Sequence, residues 1–347
     1  MKNKITDIRL ISQQLSGTTL QTAKEIVSWM GAMQAQDFNM AKWAVAMRLP
    51  GYTEAMVDAA FNSGSILRTH VLRPTWHLVA PENIRWMLSL SADKIKLSTK
   101  SRDRDLEISE ELYCKTNRVI EKVLEGKHLT RAALREEFER AKITIDTPRL
   151  SHFMMRAELD GIVCSGALQG KTQTYALLNE RVPCTKPLSR EEALVALVQH
   201  YFTSHCPATL QDFVWWSGLS QTEAKQGLET VKSAFISETV NGQTYWMTDT
   251  SCNIAKVNKS IYLLPAFDEY IISYRDRQAA ILPENHSKAI SSNGIFKPTI
   301  VANGQVVGLW KKSNTKQELL FDFFKQPDIS VKNKADEAAM TFLSYKS

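Results

Sequence analysis

The 347-residue chain is predicted to be an α+β protein of three tandem winged helix-turn-helix modules followed by a β-barrel-like scaffold. Three observations predict this. Helical periodicity recurs in three successive blocks, and each block closes on two short apolar runs flanking turn residues. Beyond about Val257 the pattern changes to strands. The divisions that result are residues 1–105, 106–185, 186–256 and 257–347.

In the first block, Ala23, Ile26, Val27, Met30 and Met33 recur at helical spacing and predict a helix over residues 21–33, with a second over 41–48. Thr53 suits the cap of a third helix with Met56, Val57, Ala60 and Phe61 on its apolar side, and Gly64 suits a left-handed exit. Residues 66–71 and 75–79 then read as a wing around Leu72-Arg73-Pro74. The charged stretch 94–105 reads as a helix tail or connector.

The second block repeats the order, with helices over 109–124 and 130–141 and a third opening at Thr147-Pro148, where proline fits the first helical position. Gly161 should end that helix, and strands over 162–165 and 172–178 supply a wing around Gln169-Gly170. The third block opens on Ser189 and Glu192, a capping-box pair, and Thr209 and Ser220 offer further caps. Its wing, over 235–240 and 243–247, turns at Asn241-Gly242, the strongest hairpin signal in the chain. Strands are then expected over 261–264, 270–274, 299–301 and 306–310, the last two joined at Asn303-Gly304, before a helix over 333–344. These strands should form a small barrel or sheet that props the modules together.

Composition narrows the class. No apolar run approaches the roughly 18 residues that span a bilayer, and charge interrupts the amino terminus, so a cytoplasmic protein is expected. The five cysteines (Cys114, Cys164, Cys184, Cys206, Cys252) are odd in number and form no close pair, which argues for reduced thiols without disulfide or zinc roles. A net charge of +6 does not by itself indicate nucleic acid. Placement says more: Arg68, Arg73, Arg275, Arg277, Lys297, Lys311 and Lys312 fall in or beside predicted hairpins, where they could reach phosphates or form a solvated rim. Phosphate loops, HExxH zinc sites and GxSxG elbows are missing. His70 and His77 stand out among seven histidines, because both lie on the first wing and would come close if it forms. Trp215 and Trp216 read as core.

Gln34-Ala35-Gln36 places two carboxamides together at a predicted helix end. It is joined by Leu72-Arg73-Pro74-Thr75-Trp76-His77-Leu78, by the stretch 264–277 with Phe267-Asp268-Glu269-Tyr270 and Arg275-Asp276-Arg277, by Gly294-Ile295-Phe296-Lys297-Pro298, and by Gly304-Gln305-Val306-Val307-Gly308-Leu309-Trp310. Together these resemble the AlkZ-like winged-helix DNA glycosylases over most of the chain. The resemblance implies three winged helices held by a β-barrel and excision of N7-alkylated purines, with some members unhooking interstrand crosslinks. It implies catalytic roles for Gln34 and Gln36, and a YcaQ-like sister branch carries Asp at the second position. Here that position is Gln36, followed by Asp37.

Glutamine exchanges no protons near neutral pH. An N7-alkylated purine needs none, since it is already cationic and leaves as a neutral base. What remains is to place a water and to stabilise positive charge on the deoxyribose, tasks that two carboxamides can share. Asp37 is expected to be a helix cap or a local salt-bridge partner. Asp268, Arg275, Asp276 and Arg277 form either an ion-pair network or DNA contacts. The DNA-binding candidates are Arg68, Arg73, His77, Arg275, Arg277, Lys297 and Lys311. The expected partner is double-stranded DNA bearing an alkylated purine, with no cofactor, metal or membrane, and with the protein a monomer. A non-catalytic winged-helix regulator is the alternative, with a protein-interaction scaffold behind it. The third helix of the first block carries Glu54 and Asp58 without Lys or Arg, which disfavours base readout there, whereas that of the second carries Arg149, His152 and Arg156.

Overall fold

The computed structural model describes residues 2–184, 186–249, 260–313 and 315–346. Cys252 and the end of the expected third module lie outside them. The chain divides into two compact units, one built from residues 1–57 and 194–347 and the other from residues 58–193. Among the described residues, no helix is long and apolar enough to cross a membrane.

Helix α1 (Lys2–Ser12) opens the first unit and has no counterpart in the sequence expectations. Its Ile5 and Ile8 pack with Cys206, Val240, Tyr245 and Met247. Helix α2 (Ala23–Met30) starts at a Thr22/Glu25 capping box and stops three residues earlier than its apolar spacing suggests, because Gly31 turns left-handed at φ +75°. A three-residue strand, β1 (Ala32–Gln34), follows directly. Gln34 and Gln36 therefore do not leave a helix end together. One closes β1, and the other lies in the turn before α3 (Phe38–Ala46). Helix α4 (Glu54–Asn62) then crosses from the first unit into the second.

In the second unit, β2 (Leu67–His70) and β3 (Trp76–Val79) form an antiparallel hairpin, with His70 opposite Trp76 and Thr69 opposite His77. The charged stretch 94–105 is the carboxy-terminal half of a 25-residue helix, α5 (Pro81–Asp105). Next come α6 (Glu110–Leu124), β4 (Leu129–Thr130), α7 (Arg131–Arg140), α8 (Thr147–Leu159), β5 (Val163–Ser165), β6 (Thr174–Leu177) and α9 (Leu178–Arg181). Ile120, Leu134, Phe138 and Phe153 close the core between α6, α7 and α8, with β4, β6 and β5 as a small sheet beside it.

Helix α10 (Arg190–Ser204) returns the chain to the first unit, and its expected Ser189/Glu192 capping box is formed. Helices α11 (Leu210–Ser217) and α12 (Gln221–Val231) start at capping boxes on Thr209 and Ser220. Strands β7 (Ile236–Val240) and β8 (Gln243–Met247) turn at Asn241 (φ +50°) and Gly242 (φ +77°), the pair of left-handed residues that a tight hairpin needs. Beyond them lie β9 (Ile261–Leu264), α13 (Glu269–Ile272), α14 (His286–Ala289), β10 (Thr299–Ala302), β11 (Gln305–Lys312), β12 (Leu319–Phe323) and α15 (Ile329–Tyr345).

The β-rich part departs from expectation twice. Among the described residues its strands form an open antiparallel sheet in the order β12-β11-β10-β9, not a closed barrel. Residues 270–274, expected as a strand, begin instead in α13, where Asp268 caps the turn by accepting from the Tyr270 amide at 2.9 Å. The run Tyr-Ile-Ile-Ser-Tyr has strand composition, but the cap and burial on every side override it. Trp43 of α3 and Trp310 of β11 pack on Phe342 of α15, and their indoles donate to the Leu263 and Leu264 carbonyls at 2.8 Å. This holds α3, and hence the segment before it, against the sheet.

Candidate active site

The segment Gln34-Ala35-Gln36 is fixed at both ends. At its start, the Gln34 backbone N–H donates to Glu269 Oε1 at 2.5 Å, and the Gln34 side chain is buried to 6 % exposure. At its end, the Asp37 carboxylate accepts from the Met40 amide at 3.1 Å and caps α3, which fulfils the helix-cap expectation for Asp37. Ala35 between them is fully buried, and Gln36 is exposed. One carboxamide thus lies under the surface and the other on it, two residues apart on a backbone hydrogen-bonded at both ends.

Glu269 is the hub of this arrangement and is buried on α13. Its second carboxylate oxygen accepts from the Ser273 hydroxyl and from Trp216 Nε1 at 3.2 Å, with His205 Nε2 at 3.7 Å. Burial alone would raise this carboxyl, but His205, the Ser273 hydroxyl and the Gln34 amide outweigh it and hold it at about 2. Burial pushes the His205 imidazole below its usual value against the pull of Glu269. The ring stacks on Tyr201 at 4.8 Å, and Ser204 Oγ lies 2.8 Å from its Nδ1.

A model of the "DNA glycosylase AlkZ-like" family matches residues 27–329. The chain belongs to the AlkZ-like DNA glycosylase family. An interstrand DNA cross-link repair glycosylase from Streptomyces sahachiroi is 24% identical over 346 residues, 95% of this chain and 93% of the relative. The solved structure of Streptomyces sahachiroi DNA glycosylase AlkZ matches with a TM-score of 0.81 at 21% identity, covering 99% of this chain and 96% of that one.

In this AlkZ-like chain the carboxy-terminal signature is largely internal. Arg48 and Asp268 pair within the core, and the Arg275 and Asp276 backbone amides donate to the buried Asp212 carboxylate at 2.8 and 3.3 Å. Asp276 accepts from the Gln278 amide at 2.9 Å, closing a local turn. Arg277 donates to the Ile271 carbonyl at 3.0 Å and lies about 5.0 Å from the Trp215 and Phe296 rings. Trp216 is core as expected, whereas Trp215 is 38 % exposed beneath that guanidinium.

The remaining candidates separate by exposure. Arg275, Lys297 and Lys311 are exposed, and Arg73 is half-buried in the turn between β2 and β3. Arg68 lies 4.2 Å over the Trp76 ring and donates to Gln173 at 2.6 Å. His77 is buried, with its Nδ1 3.0 Å from the Thr75 carbonyl, so it packs inside the hairpin rather than facing solvent. The hairpin register also puts His70 and His77 on opposite faces, because a strand alternates sides at each residue. His70 instead contacts the buried Glu158, which also accepts from Trp76 Nε1 at 3.3 Å.

No spacing or motif in the sequence gives a part to Glu269, His205 or Ser273. Glu269 lies inside the Phe267-Asp268-Glu269-Tyr270 motif, where no sequence signal sets it apart from Asp268 beside it.

Proposed function

We propose that this AlkZ-like chain is a monofunctional DNA glycosylase that hydrolyses the N-glycosyl bond of N7-alkylated purines in duplex DNA and unhooks interstrand crosslinks. The observation that carries the reading is the fixed Gln34-Ala35-Gln36 segment, with a buried carboxamide and an exposed one two residues apart. In the proposed reaction the two carboxamides hold a water and face the deoxyribose. Water oxygen bonds to C1′ as the C1′–N9 bond breaks, and the electron pair of that bond neutralises the cationic purine. The water proton passes to solvent. An abasic site and a free base are the products.

The helix blocks that close on hairpins are read as winged-helix modules over residues 1–105, 106–185 and 186–256, with 257–347 as their scaffold. We assign phosphate contact to Arg73, Arg275, Lys297 and Lys311, with Arg68, Arg277 and His77 shaping the surface behind them. The rival reading as a DNA-binding regulator needs a free basic helix, and the basic residues of α8 are already engaged. Arg149 pairs with Glu107 at 3.4 Å, His152 contacts Asp103 at 2.7 Å, and Arg156 pairs with Glu110 at 2.7 Å and Asp160 at 2.9 Å. The crosslink assignment follows the name of the Streptomyces relative, an interstrand DNA cross-link repair glycosylase.

The test is a duplex with a single N7-methylguanine. Release of the free base from an intact strand is expected, and its absence at enzyme excess would end this reading.

A further inference from the structure

Glu269 occupies a position that packing alone does not require to be charged. A buried carboxylate is costly unless it is compensated, and the nearby guanidinium groups have other partners: Arg48 pairs with Asp268 at 2.9 Å and Arg9 with Asp212 at 3.8 Å. What compensates Glu269 is the His205 imidazole, with Nε2 at 3.7 Å, together with a set of neutral donors. Ser273 and Trp216 hold one oxygen, and the backbone N–H of Gln34 holds the other at 2.5 Å. The Gln34 bond is the long-range one that reaches the candidate carboxamides, spanning 235 residues of sequence.

We infer that Glu269 is a positioning residue for base excision, setting the Gln34 peptide and lending a fixed negative charge behind the carboxamide that faces the sugar. The inference rests on the reading of Gln34 as catalytic. Two consequences follow from the geometry. Both oxygens are engaged, so the carboxylate cannot rotate without breaking a bond to Gln34, Ser273 or Trp216, and the peptide it holds is preorganised. A charge buried behind Gln34 is also poorly screened, so it favours a positive deoxyribose over a neutral one, the difference that accelerates the step.

The neutral isostere separates these effects from bulk. In Glu269→Gln, one orientation of the amide points its NH2 at Ser273 and the Trp216 indole, and the other points it at the Gln34 N–H. Either orientation sets donor against donor and removes the charge, with volume unchanged. The experiment is a double-mutant cycle on single-turnover release of N7-methylguanine from duplex DNA, with DNA affinity measured in parallel. Glu269→Gln should slow release about ten- to a hundredfold, the scale of losing catalytic alignment, with affinity unchanged. Made in a Gln34→Ala background, the same change should slow release by less than about threefold, because the group it positions is gone. A residue that only maintains the fold would cost the same factor in both backgrounds, and equal factors overturn the inference.

Ser273→Ala supplies the cycle if Glu269→Gln fails to fold. It removes one hydrogen bond to the carboxylate and should give a loss of a few-fold that disappears with Gln34→Ala, while an equal loss in both backgrounds again overturns the inference. No base release by the wild type, or an unchanged rate in Gln34→Ala, overturns the functional reading and this inference together. Equal factors with both of those intact overturn this inference alone.

Discussion

Arg48 and Asp268 form a bidentate ion pair, Nη1 to Oδ2 at 2.9 Å and Nη2 to Oδ1 at 3.0 Å, with neither side chain exposed. Arg48 also donates to the Ala44 and Gln13 carbonyls at 2.6 and 2.9 Å, and Asp268 caps α13, which carries Glu269. Removing one partner leaves a buried charge without compensation. Asp268→Ala should therefore destabilise the protein by about 3–5 kcal/mol, read as a lower urea midpoint. Asp268 acts here in structure, and a loss below about 1 kcal/mol would contradict that.

This pair shows what the sequence could and could not reveal. The caps at Thr209 and Ser220, the Ser189/Glu192 box and the Asn241-Gly242 turn were legible because their chemistry is local, completed within four residues. Helix α1 was not, since charges interrupt its apolar spacing and its polar side chains find distant partners, such as Arg9 on the Pro207 carbonyl at 3.0 Å. Residues 270–274 were misread because β-branched composition pointed to a strand. The two glutamines were visible as a motif, but Glu269 touches Gln34, His205 and Trp216, and no spacing rule connects those positions.

Gln34→Ala and Gln36→Ala should each leave folding and DNA affinity nearly intact while lowering base release by roughly ten- to a thousandfold. The buried position of Gln34 makes its loss the more disruptive of the two. Gln36→Asp imitates the sister branch and should retain some activity with altered substrate preference. Wild-type rates in both alanine variants would end the catalytic assignment.

Exposed Arg275, Lys297 and Lys311 should make DNA binding electrostatic and only weakly dependent on sequence. Each neutralised phosphate contributes a slope of about −0.9 to log affinity against log salt. Charge reversal at Lys297 or Lys311 should weaken binding to damaged and undamaged duplexes alike and flatten that slope. Sequence-selective loss would point to base readout instead.

Acid should unfold the protein partly through Glu269 and His205. The folded Glu269 carboxyl sits at about 2 against a usual 4.5, so the unfolded chain takes up the proton first and the contribution of Glu269, complete above 4.5, disappears as pH falls towards 2. His205 is lowered by burial, so its contribution is complete above 6.5 and begins to fall below it. The difference in Tm between wild type and Glu269→Gln should accordingly narrow between pH 4.5 and 2. A constant difference across that window would show that the carboxylate is not held ionised.

The proposed reaction uses water as nucleophile, and the lysine nearest in sequence to the two glutamines is Lys42, a candidate for imine chemistry. Its Nζ lies 2.8 Å from Glu54, a carboxylate that Lys346 also contacts at 2.7 Å, and the Lys42 side chain is only 6% exposed. An ammonium lacks the lone pair needed to attack C1′. Borohydride added during turnover should trap no protein–DNA adduct, and strands should break only after later heat or alkali. Lys42→Ala should retain base release while losing stability, since it leaves Glu54 with one partner fewer. A trapped adduct that disappears in Lys42→Ala would make the protein a lyase and replace water by the amine in the chemistry proposed above.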